Sequence, residues 1–284
     1  MKPILVFQSD FTYKEAAVSA MIGVVKSIDP TLDIAHATHE IPNYDIWSAS
    51  FRLYQPLIYW PKGTIFVSVV DPGVGTKRRA AVAYTTNGYI IITPDNGTLT
   101  HVLNAYGIDR VYEIDVEHQQ LLKEEQRIRV FHGRDVFAYN AARLAAGIVT
   151  IDEIAAEYSV NEIVVFDQVQ PIINEGGVSG IIEIVDPNFG NAWSNISVGT
   201  LHQAGIEFHM RVHVEVSNLN ELLFSDTIMF SETFGGVSVG ECVLYQNEHG
   251  NASLALNQGN FIKAYNIHFG VEFRIKLSKE TIDE

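Results

Sequence analysis

Four polar residues fall where a turn follows an apolar run or precedes a helical stretch. They are Asp10 after residues 4–9, Asp71 after 64–70, Asn96 after 89–92, and His132 ahead of 133–147. Arg78 follows Asp71 at a spacing that lets a guanidinium fold back onto the carboxylate. A carboxylate at a strand's carboxyl end, with an arginine able to fold back onto it, is a set suited to holding a ligand. Each member also has an ordinary reading. Asp71 and Arg78 can be a surface ion pair, Asp10 an acid at a helix entry, and His132 a satisfied structural histidine. Their common placement carries more weight than any one of them.

The elements that must position these groups follow from periodicity. Residues 64–70 are β-branched and apolar, and the strand stops at Asp71-Pro72-Gly73, because Pro-Gly forces a turn. In open α/β sheets ligands sit at that carboxyl edge. Residues 4–9 form a similar strand, followed by a helix from about Lys14 with Ala17, Met21, Val24, Val25 and Ile28 on one face. Residues 45–59 predict a helix disturbed at Pro56. Asn87-Gly88 predicts a hairpin turn. A short helix over about 98–106, a strand over 110–114, a polar exposed link over 117–129 and an amphipathic helix ending at Gly147 complete the first half. Beyond residue 171 helical periodicity gives way to short alternating strands with glycine turns. The expected fold is an α/β domain with a central, mostly parallel sheet over 1–165, a linker over 166–171, and an all-β barrel-like domain over 172–284.

Composition narrows the partners. Nineteen Lys and Arg against 34 Asp and Glu leave a net charge of −15, which repels phosphate backbones and anionic lipid and favours a cationic ligand. No apolar run reaches the ~20 residues of a membrane span, and residues 1–6 lead straight into a strand. One cysteine, Cys242, excludes an intramolecular disulfide and suits a reducing cytoplasm. His36, His39 and Glu40 invite a metal, but no further ligand set has recognisable spacing, so no metal or cofactor is expected. In the second half, residues 186–195 gather Asp186, Asn188, Asn191 and Asn195 with Phe189 and Trp193, aromatic faces and amides that suit a purine or, more simply, a turn with a core tryptophan. Over residues 247–257, with Phe234 upstream, nothing in the local chemistry decides a function.

Six segments together are similar to the S-adenosylmethionine (SAM) hydroxide adenosyltransferase family. They are Ser9-Asp10-Phe11, Thr38-His39-Glu40-Ile41-Pro42, Val70-Asp71-Pro72-Gly73-Val74-Gly75-Thr76, Pro94-Asp95-Asn96-Gly97, Phe131-His132-Gly133-Arg134-Asp135, and Asp186 with Phe189-Gly190-Asn191. The family is related to the SAM-dependent fluorinase and chlorinase. The resemblance implies an N-terminal α/β domain, a C-terminal barrel, and a homotrimer whose sites join the N-domain of one subunit to the C-domain of its neighbour. It implies hydrolysis of SAM to adenosine and L-methionine, with Asp71, Arg78 and His132 around the water. It places Asp10 on the ribose diol, Tyr44 and Phe234 near the adenosyl group, Asp186 on the methionine ammonium, and Asn191 and Trp193 along the adenine and methionine; Asn96 joins the substrate-binding set. The halogenases carry Tyr where Asp71 stands, and a Ser-Arg pair for the methionine carboxylate where this chain has Glu248-His249-Gly250.

Two readings from other classes compete. A metal-dependent phosphohydrolase can use Asp10, Asp71, Asn96 and His132 as ligands, and a non-catalytic adenosine- or SAM-binding protein needs only the binding residues. Gly73-Val74-Gly75-Thr76 lacks the spacing and lysine of a P-loop.

Overall fold

The computed structural model describes residues 2–122, 128–219 and 221–280. The chain divides into two compact units, Met1–Phe166 and Asp167–Glu284. The first holds a seven-stranded mixed sheet with helices, and the second a closed β-barrel.

Seven strands form the first sheet: β1 (Leu5–Ser9), β2 (Ile34–Thr38), β3 (Ile65–Val69), β4 (Ala80–Thr85), β5 (Ile90–Pro94), β6 (Ile108–Ile114) and β7 (Ala155–Tyr158). Their order is β2-β1-β3-β5-β4-β6-β7. The β2-β1-β3-β5 half is parallel, and β5-β4-β6-β7 is antiparallel. The chain leaves β1 for β2 on one side and returns to β3 on the other. The strand order therefore reverses between β1 and β3, and such a switch point opens a crevice at the carboxyl ends. The strands after which Asp10, Asp71 and Asn96 occur are three parallel neighbours, β1, β3 and β5.

Helices cover both faces, as a buried parallel sheet requires. On one face α1 (Ala17–Ile28) packs Val18, Met21 and Val25 against Leu5, Phe7, Ile65, Val67 and Val69. The same core takes Val136 and Phe137 of a π-helical turn, Gly133–Ala138, and Ala141, Ala142 and Ala145 of α2 (Tyr139–Ala145). On the other face Leu53 of Ile46–Tyr54 and Val102 of Thr100–Tyr106 pack on Val6, Phe66, Ala81 and Ile91.

Residues 45–59 behave as their sequence predicts: Asp45 caps Ile46–Tyr54, and a 3₁₀ turn, Leu57–Tyr59, follows Pro56. Helix α1 starts at Ala17 rather than near Lys14. Thr12 has φ +55°, its hydroxyl accepts the Lys14 N–H, and Glu15 accepts the Ala17 N–H, so side chains occupy the residues before the helix. Within the expected link over 117–129, residues 123–127 lie outside the described residues; the others are half-buried or exposed.

The second unit contains β8 (Ile172–Asn174), β9 (Gly177–Asp186), β10 (Asn191–Ser197), β11 (Arg211–Asn218), β12 (Glu221–Ser231), β13 (Cys242–Gln246), β14 (Asn251–Leu256) and β15 (Phe273–Lys279). Pairing of β10 with both β14 and β9 closes seven strands into a barrel, and β8 adds to β9 outside the ring. Alternate residues, such as Val212, Val214 and Val216 on β11, fill its interior.

Candidate active site

Strand β3 is buried throughout and delivers Asp71 to the sheet edge. The loop that follows reverses tightly. Gly75 has φ +75°, and a Cβ there would lie 2.8 Å from the Arg129 carbonyl oxygen, so only glycine fits. The reversal brings Arg78 onto Asp71 in a two-pronged pair: Nε donates to Oδ1 at 3.0 Å, and Nη2 donates to Oδ2. The two side chains are 7% and 5% exposed. An ion pair this dry requires further partners. Arg78 Nη1 donates to the Arg79 carbonyl oxygen at 3.2 Å, and the guanidinium carbon stands 5.3 Å from the Phe137 ring centre.

His132, buried just ahead of the π-helical turn, has Nδ1 3.3 Å from Arg78 Nη2. A guanidinium is a permanent donor, so Nδ1 accepts and the ring is neutral with its hydrogen on Nε2. Burial and the adjacent Arg78 charge both push the His132 ring below its ordinary value, which keeps that state. For Asp71 the influences oppose each other. Burial pushes its carboxyl up, and this outweighs the Arg78 charge and hydrogen bonds that pull it down. The result is a more basic carboxylate than an exposed aspartate. Arg78 Nη2 thus bonds to both Asp71 and His132, and His132 steadies the guanidinium that grips the carboxylate. A cavity opens beside Arg78 and His132, lined also by Thr76, Lys77, Glu113 and Arg129.

Asp10 and Tyr44 come together on the same unit. Asp10 is 6% exposed, and its Oδ2 accepts the Tyr44 N–H at 3.0 Å. Its Oδ1 takes no hydrogen bond among the described residues. The Tyr44 ring is exposed, on a backbone with φ +67°. Asn96 is engaged at both ends of its amide. Its Nδ2 donates to the Val70 carbonyl oxygen at 2.9 Å, and its Oδ1 accepts from the Thr98 N–H and hydroxyl. Asn96 therefore secures the residue before Asp71 and leaves little of its amide for a ligand.

The candidates of the second unit gather around Tyr245, a residue that no local pattern singles out. Trp193 Nε1 donates to the Tyr245 hydroxyl at 3.1 Å, and the Phe234 ring centre lies 4.6 Å from that of Tyr245. Burial pushes the Tyr245 hydroxyl up to about 12. Asp186 Oδ1 accepts the N–H groups of Asn188 and Phe189, which shapes the turn from β9 to β10. Gly190 in that turn has φ +74°, and a Cβ there would strike the Asn260 side chain. Trp193 is buried on the face of β10 opposite Ala192, whose side chain lines the barrel interior. In sequence Tyr245 has only a place in the alternating run 242–246; the pairing of β13 with β14 and of β14 with β10 is what brings it to Trp193.

Among the described residues no three His, Cys, Asp or Glu side chains converge to hold a metal ion. No helix among them is long and apolar enough to cross a membrane.

Comparison with known proteins bears on the whole chain. Residues 5–155 match the SAM hydroxide adenosyltransferase N-terminal domain, and residues 180–274 the C-terminal domain. An (R)-S-adenosyl-L-methionine hydrolase from Thermus thermophilus is 29% identical over 97% of this chain and 100% of its own. A fluorinase from Actinopolyspora mzabensis is 26% identical over 98% of each chain. A crystal structure of an uncharacterized conserved protein from Thermotoga maritima superposes with a TM-score of 0.87 at 29% identity, covering 97% of this chain and 100% of that one.

Proposed function

The chain belongs to the SAM hydroxide adenosyltransferase family, and we propose that it hydrolyses S-adenosyl-L-methionine to adenosine and L-methionine. Hydrolase relatives bear names that specify the (R) form, which makes that epimer the first substrate to test. The observation that carries this reading over halide transfer is the buried Asp71 carboxylate in the grip of Arg78. A carboxylate repels a halide ion and offers it nothing, whereas water needs a base to become a nucleophile.

In the proposed reaction a water oxygen attacks C5′ and forms the C–O bond as the C5′–S bond breaks. The bonding pair leaves with sulfur, which passes from a sulfonium to a neutral thioether and needs no acid. The water's proton goes to Asp71 and then to solvent, one proton per turnover. Arg78 fixes the carboxylate and stabilises charge on the attacking oxygen, and neutral His132 holds Arg78 in place. Such base catalysis contributes ~10²–10⁴-fold, and in-line placement supplies much of the rest. Asp10 takes the ribose diol, Tyr44 and Phe234 flank the adenosyl group, Asp186 takes the methionine ammonium, and Asn191 and Trp193 border the ligand. No cofactor or metal takes part in this scheme. The proposal includes assembly as a homotrimer in the cytoplasm, with mass in solution as the test of assembly.

The deciding experiment is incubation with SAM in ¹⁸O-water, with and without added fluoride or chloride. Label in the adenosine 5′-hydroxyl, unaffected by halide, is the expected result. Halogenated adenosines, or no consumption of either SAM epimer, would overturn the proposal.

A further inference from the structure

A second polar array in the first unit lies behind Asp10 and takes no part in the chemistry above. His39, 1% exposed, has Nδ1 2.7 Å from the Ser9 hydroxyl and Nε2 2.8 Å from His36 Nδ1. The Ser9 oxygen also accepts the Phe11 N–H at 3.2 Å. The hydroxyl hydrogen of Ser9 has no other acceptor among the described residues, so it goes to His39 Nδ1. The hydrogen of neutral His39 then sits on Nε2 and goes to His36. The Ser9 and His39 hydrogens thus run in one direction. Burial, with His36 adding to it, pushes His39 down to about 4, consistent with a neutral ring.

This run of hydrogen bonds ties the turn that carries Asp10 to His36 of β2. Residues 39–44 hold the same turn: the Thr12 N–H donates to the His39 carbonyl oxygen at 2.8 Å, and Tyr44 N–H donates to the Asp10 carboxylate. The two segments meet at Thr12, φ +55°, and Tyr44, φ +67°. Left-handed conformations in residues other than glycine are costly, and they persist where surrounding contacts over-determine the backbone. The Tyr13 ring closes over His39 edge-to-face at 5.1 Å.

We propose that His39 is a positioning residue for the vicinal diol of a nucleoside: through Ser9 and its own backbone it aims the Asp10 carboxylate. The inference rests on the role of Asp10 proposed above. It separates from general structural damage because it concerns the diol alone. The test compares binding of adenosine and 2′,3′-dideoxyadenosine to the wild type, His39→Leu, His39→Gln and Ser9→Ala, alongside SAM hydrolysis.

His39→Leu is expected to weaken adenosine and raise KM for SAM about tenfold, the scale of a lost buried hydrogen bond, with dideoxyadenosine unchanged. A glutamine amide can accept from Ser9 and donate to His36, so His39→Gln restores much of the preference. Ser9→Ala, a smaller change, carries the same expectation should His39→Leu fail to fold. Equal losses for the two nucleosides, or an unaltered preference, overturn the inference. A wild-type protein that neither hydrolyses SAM nor prefers adenosine refutes instead the reading beneath it.

Discussion

The carboxyl edge of the parallel strands and the aromatic cluster of the barrel solve different problems. At Asp71 a formal charge is buried and then answered on every side, by two prongs of Arg78, by the carbonyl that holds Nη1, and by a neutral imidazole. At Tyr245 rings and amides dominate, with Asp186 the charge that acts on the hydroxyl, and make a shaped, half-polar surface. The first arrangement suits a reacting group, and the second suits recognition. Altering the first should change kcat, and altering the second KM.

The sharpest way to break that contrast is Asp71→Asn. Turnover is expected to fall by ~10²–10⁴-fold while calorimetry still records SAM binding. Unchanged turnover would remove Asp71 from the chemistry. Arg78→Lys follows at ~10²-fold in kcat, because a point charge cannot reproduce the two-pronged contact and leaves His132 Nδ1 without its donor.

The pH profile comes next, at about tenfold per unit below its limb. Burial raises Asp71 above 3.8, so the base gains its charge only above that value. His132 is lowered from 6.5, so protonation, which would set a cation against Arg78, occurs only below that value. Activity should therefore rise with pH, with the acid limb of kcat above 3.8. A rate that does not fall as the pH drops toward 3.8 would contradict a base raised by burial.

A smaller effect is expected in the barrel. Phe234→Ala should raise KM about tenfold with kcat within about threefold, by loss of a stacking face; a kcat effect as large as that of Arg78→Lys would erase the distinction. The smallest is Asn96→Ala, expected to cost ~1–2 kcal/mol of stability in denaturant unfolding through the lost Val70 and Thr98 bonds.

Much of this arrangement is legible in the sequence because strand ends are. Asp10, Asp71 and Asn96 each follow a short apolar run closed by turn residues, and parallel strands necessarily line up their carboxyl ends. The Asp71–Arg78 contact is legible for a similar local reason, since Gly73 and Gly75 permit the reversal. Three features are not. The order of the strands, which sets β3 beside β1 at the switch point, is a property of pairing partners remote in sequence. Tyr245 acquires meaning only through cross-strand neighbours. His39 invites a metal by its spacing from His36, and only the fold shows the two rings bonded to each other with Ser9 behind them. Residues 123–127 of the expected polar link lie outside what the structure describes.

The π-helical turn of Gly133–Ala138 has a consequence for how this gene can change. Such a turn holds one residue more than an α-helix would over the same rise. Deleting a single codon there would restore ordinary helix with its ends in place, and would turn residues within the segment by up to ~100° about the axis. A loss of length would turn Phe137 out of the core and away from Arg78. This segment should therefore keep its residue count in descendants that keep the activity, even as its letters drift.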